Sequence, residues 1–162
     1  MTVLDRARTF ISRRGRQEPV DEKAVAQGFF ERLEVGDVEG AMALTTPGGE
    51  FQAVALGVKG TIGGEGQELL EELRRALPDV TLQVTRLFAG HDGTAVAEVF
   101  VDGTQADDLF GIVNQEKHVD VKTVWLLHVT DGRIDGIRAY WCQNQLYRRL
   151  GVKRLDRVTI TA

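Results

Sequence analysis

Glu98 and Asp102 are the residues whose type and spacing first suggest chemistry, because both fall in the run TAVAEVFVDG at 94–103. Read as a strand, that run puts Val96, Glu98, Phe100 and Asp102 on one face, since successive side chains of a strand alternate. A carboxylate between Val96 and Phe100 in an apolar cavity would have its pKa raised, because desolvation disfavours the charged form, and it could then act as a general acid or base near neutral pH. Glu98 is therefore the first candidate for proton transfer. The alternative is a structural ion pair with Arg86 or Arg138 across the sheet. Asp102 would be a second carboxylate on the same face, or simply part of an Asp-Gly turn.

Other chemistries find little support. His91, His118 and His128 lack ligand spacing and a nearby cysteine, so no metal site is expected. Cys142 is the only cysteine, which rules out an internal disulfide, and no Lys, Arg or His adjoins it to activate the thiol. No nucleophile-elbow sequence surrounds Ser12, the only serine. A net charge of -4 and a pI near 5.4 argue against a nucleic-acid partner, which would need clustered cations. The exception is a segment with five arginines between Arg6 and Arg16, read as a basic arm or short surface helix. Neither a signal peptide nor an apolar run of membrane-spanning length stands out, so a cytoplasmic protein without membrane contact is expected.

The elements that must position the candidates follow from periodicity. Asp21 suits the N-cap of a helix with Val25, Phe29, Phe30 and Leu33 on its inner stripe, and Gly36-Asp37 leads into a short second helix. Residues 50–56, with Phe51 and Ala53, read as a strand, and the Gly-rich stretch 57–66 as a loop. A third helix carries Leu69, Leu70, Leu73 and Leu77 and stops at Pro78. From Val80 the period becomes two, with Asp-Gly pairs at 92–93, 102–103 and 131–132 marking turns of an antiparallel meander. In the strand from His118 to Val129, the face holding Val119, Val121, Thr123, Trp125, Leu127 and Val129 must be core or pocket. Val124 and Leu126 leave an apolar patch on the other face, which a homodimer partner would cover. The last strand runs from Arg133 to about Gln143 and includes Ile137, Ala139 and Trp141. Helices first and a meander after make an α+β domain with helices on one face of an antiparallel sheet.

DGRIDGIRAYWCQNQL at 131–146 resembles the closing strand of ketosteroid isomerase and of the SnoaL-like polyketide cyclases. FFERLEVGDVEGAMAL at 29–44 resembles their first helix hairpin, and VDGTQADDLFGI at 101–112 resembles the cyclases' Gly-Thr-His stretch, with Gln105 in place of the His. The resemblance implies a cone-shaped α+β barrel, its N-terminal helices packed on a strongly curved antiparallel sheet that encloses a pocket. It also turns the Glu98 face toward that pocket. The isomerase's catalytic set is missing: Phe29 stands at the position of its tyrosine acid, Ala53 at its aspartate base and Trp125 at its protonated aspartate. Ala139 takes the place of the carboxylate that cyclases set on the last strand.

Together these readings divide the chain into a basic arm (1–19), a SnoaL-like domain (20–150) and a C-terminal tail (151–162). The expected function is ring closure or isomerisation of a polyketide-type intermediate, without cofactor or metal, in a pocket lined by Phe29, Phe51, Ala53, Phe100, Gln105, Trp125, Leu127, Ile137, Ala139 and Trp141. Glu98 and Asp102 are the candidate catalytic pair, and Gln105 either bonds a substrate carbonyl or is a solvated loop residue. Two mechanisms stand open, acid–base closure through Glu98 and a pericyclic closure driven by the shape of the pocket. A non-catalytic small-ligand-binding or dimerisation module of the same fold is the alternative.

Overall fold

The computed structural model describes residues 21–153; the basic arm and the tail beyond residue 153 lie outside the described residues. Asp21 accepts the Ala24 N–H at 3.1 Å and starts α1 (Glu22–Glu34), and Asp37 accepts the Gly40 N–H at 2.8 Å and starts α2 (Val38–Ala43). Each satisfies a donor that the first helical turn leaves unpaired. α1 buries Ala26, Phe29, Phe30 and Leu33, a spacing that places them on one stripe. α3 (Gln67–Ala76) buries Leu69, Leu70, Leu73 and Ala76 and ends before Pro78.

Six strands form one sheet in the order β2-β1-β6-β5-β4-β3. They are β1 (Thr45–Ala53), β2 (Val58–Thr61), β3 (Thr81–Ala89), β4 (Thr94–Thr104), β5 (His118–Thr130) and β6 (Arg133–Trp141). All neighbours are antiparallel except β1 and β6, which run parallel. Extra residues in β1, β3 and β6 bend the strands and curve the sheet, which stays open at its β2 and β3 edges. One face, covered by α1 and α3, carries the core; the other faces outward.

Asp131 (φ 51) and Gly132 (φ 77) make the left-handed pair that a tight hairpin needs between β5 and β6. Asp102-Gly103 is no turn, because both residues pair with β5 inside β4. Gly103 serves packing instead, since a Cβ there would sit 3.2 Å from Leu77 Cβ and from Val80 Cα. The expected first strand begins earlier, at Thr45, and gives way after Ala53 to a 3-10 turn at Val54–Leu56. The Gly-rich stretch contains β2, held by pairing with β1. Beyond Trp141 the chain forms α4 (Gln143–Arg149), because burying Leu146 and Leu150 rewards a helical spacing of four.

Candidate active site

β4 decides which side chains can meet a ligand inside the fold. Ala95, Ala97, Val99 and Val101 point into the core, whereas Val96, Glu98, Phe100 and Asp102 lie half-buried on the outer face. This reverses the expected placement of Glu98, Asp102 and Phe100. The reason lies in the register, which sets Ala97 opposite Trp125, and Trp125 opposite Ala139, itself beside Ala53. An indole needs small neighbours, so alanines flank Trp125 along the inner row, and Val96, Glu98 and Phe100 of β4 turn outward.

Glu98 accepts a hydrogen bond from Thr85 Oγ1 at 2.8 Å and stands opposite Arg86 in the ladder. Asp102 Oδ2 lies 3.1 Å from His118 Nε2 on the surface. Neither carboxylate reaches the interior. Gln105 is buried but does not face a cavity: its Oε1 accepts the Gln115 N–H at 3.1 Å, and its Nε2 points at the Ile112 and Val113 carbonyls at 3.4 and 3.5 Å. It stitches together the loop 105–117, which makes it neither a solvated residue nor one free to bond a substrate.

Inside the sheet lies an apolar chamber of about 40 Å³ between α3, α4, the loop 105–117 and the inner faces of β4, β5 and β6. Leu69, Leu73, Val121, Trp125 and Leu109 supply much of its wall, and none of its lining residues is titratable. The polar atoms of the lining side chains are already engaged. Trp125 Nε1 donates to Thr123 Oγ1 at 2.8 Å, Thr123 Oγ1 donates to the Val99 carbonyl at 2.9 Å, and Trp141 Nε1 donates to Gln143 Oε1 at 2.7 Å. Of the expected pocket residues, Trp125 and Trp141 line this chamber. Phe29, Ala53, Leu127 and Ala139 are packed into the solid core, where Phe29 and Trp125 both meet Phe30 edge to face.

A larger, open depression of about 510 Å³ lies on the outer face, where Phe51 and Ile137 form part of its floor. Glu50, Lys59, His128 and Arg138 line it. The hydrogen bond between His128 Nδ1 and Asp135 Oδ1, 2.6 Å long, holds the imidazole pKa above its ordinary value. Burial pushes the Asp135 carboxyl up, but its hydrogen bonds with His128 and Thr130 outweigh that and hold it below the usual range. Open and charged, this depression suits an apolar ligand less well than the chamber does.

Sequence reasoning missed the lid of the chamber. Leu109 and Ile112 exchange backbone hydrogen bonds of 3.0 and 2.9 Å around Phe110 (φ 50) and Gly111 (φ 76), a two-residue turn with both central residues left-handed. Phe110 stacks on Trp141, their ring centroids 6.1 Å apart and their planes 22° apart. The Phe110 N–H donates to Glu72 Oε1 on α3 at 2.7 Å, and the Arg75–Asp107 ion pair fastens the same loop to the same helix. The available signal was an apolar Leu-Phe-Gly-Ile run inside an otherwise polar loop.

A family model described as SnoaL-like polyketide cyclase matches residues 24–150. The chain belongs to the SnoaL-like polyketide cyclase family. Solved structures share this cyclase fold. AclR from Streptomyces galilaeus, a proposed hydroxylase, is 20% identical with a TM-score of 0.70, over 80% of this chain and 84% of that one. IdmH from Streptomyces antibioticus, a proposed polyketide cyclase, is 18% identical with a TM-score of 0.69, over 82% and 99% of the two chains. A hypothetical protein of ketosteroid isomerase-like fold from Catenulispora acidiphila, solved with trimethylamine, is 12% identical with a TM-score of 0.65, over 78% and 92%. At these identities the likeness is one of fold. No curated protein matches the chain. Among the described residues, no helix of this SnoaL-like chain is long and apolar enough to cross a membrane.

Proposed function

We propose that this SnoaL-like chain is a cofactor-independent cyclase that folds a linear, conjugated polyketide-type intermediate into the conformer from which its ring closes. The apolar wall of the chamber carries the reading, because a lining without a titratable side chain favours closure by proximity and orientation over proton transfer. Alignment of two reacting carbons needs only shape, and water is kept from the reacting atoms by Leu69, Leu73 and Trp125. At about 40 Å³ the chamber holds no more than a water or so, which means that substrate entry requires the loop 105–117 to lift from α3.

The test is to incubate the protein with linear polyenes carrying a diene and an alkene, following loss of the conjugated absorbance and the new ring by mass-neutral product analysis. Accelerated closure at a rate independent of pH supports the shape-driven cyclase. Reversible binding without conversion supports a binding module instead.

We also infer that the outer face pairs with a second copy of the chain. Phe88, Val124 and Tyr140 are exposed there, with Val96 and Leu126 between them in the ladder. Arg86, Lys122 and Glu98 on the same face allow like surfaces to meet with opposite charges. Sedimentation should give a dimer that Val124→Lys dissociates; a wild-type monomer at high concentration would rule this out.

A further inference from the structure

All the residues that line the chamber are buried except two, Phe110 and Trp141, which are half-buried and stacked on each other. They therefore mark its mouth. Phe110 holds a left-handed backbone conformation that a bulky side chain seldom adopts, and Glu72 on α3 fixes it there by accepting its N–H. Such a conformation persists where surrounding contacts impose it, here the Glu72 bond and the Leu109–Ile112 turn. Below the mouth, Trp125 is held by its bond to Thr123, so its ring orientation is fixed as well.

We propose that Phe110 and Trp141 form an aromatic slot that selects flat, uncharged, conjugated substrates, with Phe110 as the specificity-determining residue. The inference rests on the chamber being the binding site, and it adds the residues that select a flat, conjugated molecule there. Two nearly parallel rings present π faces that a planar polyene can replace or extend, because offset stacking is favourable for any flat π system. A compact aliphatic body gains nothing from those faces. Glu72 acts through Phe110 as a positioning residue.

Calorimetric titration of the intact chain with octatrienol, a flat conjugated alcohol, and adamantanol, an apolar alcohol that is not flat, separates the possibilities. Phe110→Leu keeps an apolar cover but removes the π face, and should weaken octatrienol binding about 2- to 10-fold while leaving adamantanol within about twofold. Phe110→Tyr should restore the octatrienol preference. Equal losses for both probes, or no change for either, would overturn the slot while leaving the chamber as the binding site. If wild type binds neither probe, the chamber reading fails and the slot fails with it. Thermal melts establish that each variant is folded, and Trp141→Leu, which removes the other π face and should cause the same selective loss of octatrienol binding, carries the comparison should Phe110→Leu not fold.

Discussion

Gln105→Leu separates a structural glutamine from a substrate contact. The two side chains are similar in size, so the change removes hydrogen bonds with little change in packing. The loss is dominated by the Gln115 N–H, left without its 3.1 Å partner. The Ile112 carbonyl still receives the Leu109 N–H at 3.0 Å, and the bonds from Gln105 Nε2, at 3.4 and 3.5 Å, are too long to weigh heavily. A buried unpaired donor costs about 1–3 kcal/mol, but Gln115 is exposed, so water recovers part of this and the better burial of leucine offsets more, which leaves roughly 0.5–1 kcal/mol. For a domain of this size that is a fall in Tm of about 1–4 °C. Differential scanning calorimetry with a parallel urea titration measures it, and an unchanged urea m-value confirms that stability alone has moved. An unaltered Tm would rule out a structural role for the Gln105 amide, and a loss of ligand affinity at full stability would make Gln105 a substrate contact.

Glu98→Gln should leave ligand affinity within about twofold and stability within roughly 0.5 kcal/mol, because the carboxylate lies on the outer face; titration and melting check both. Ala139→Asp, which installs a carboxylate beside Trp125 in a fully buried position, should destabilise by about 3 kcal/mol or more. That cost should shrink toward acid pH, where the group folds neutral, and a pH-independent Tm deficit would count against it. His128→Asn tests the pair with Asp135. The imidazole pKa is raised in the fold, so its stabilisation is fully present below the ordinary value of 6.5 and disappears as pH rises through the folded value. Since the pair is partly exposed, the gap to wild type should be under about 1 kcal/mol, visible near pH 5–6 and gone at alkaline pH. A gap that grows with pH would contradict the assignment.

Much of the fold was legible because its signals are local. Asp21 and Asp37 cap where their side chains can reach, and the alternation from Val119 to Val129 is long enough to fix its own face. β4 was different. Its two faces are Ala95, Ala97, Val99 and Val101 against Val96, Glu98, Phe100 and Asp102, and the larger apolar residues suggest the wrong one. Only the cross-strand register, with Trp125 opposite Ala97 and Ala139, explains why the small face goes inward. Asp102-Gly103 carries turn chemistry by composition, yet its glycine answers a close approach to Leu77 and Val80 that sequence spacing does not reveal. The lid was hidden for a similar reason. Phe110 matters because Glu72 and Trp141, distant in the chain, arrive beside it. Gln105 was hidden differently, because its partners are the loop's own backbone and come within reach only once the loop has folded.

We propose that the chamber closes a ring by shape, without an acid or base from the protein. A pH–rate profile for closure of a linear conjugated polyene, measured between roughly pH 6 and 9 with wild type and Glu98→Gln, tests it most directly. A flat profile, the same for both proteins, is expected. A bell-shaped or sigmoidal profile, or one that Glu98→Gln abolishes, would contradict it.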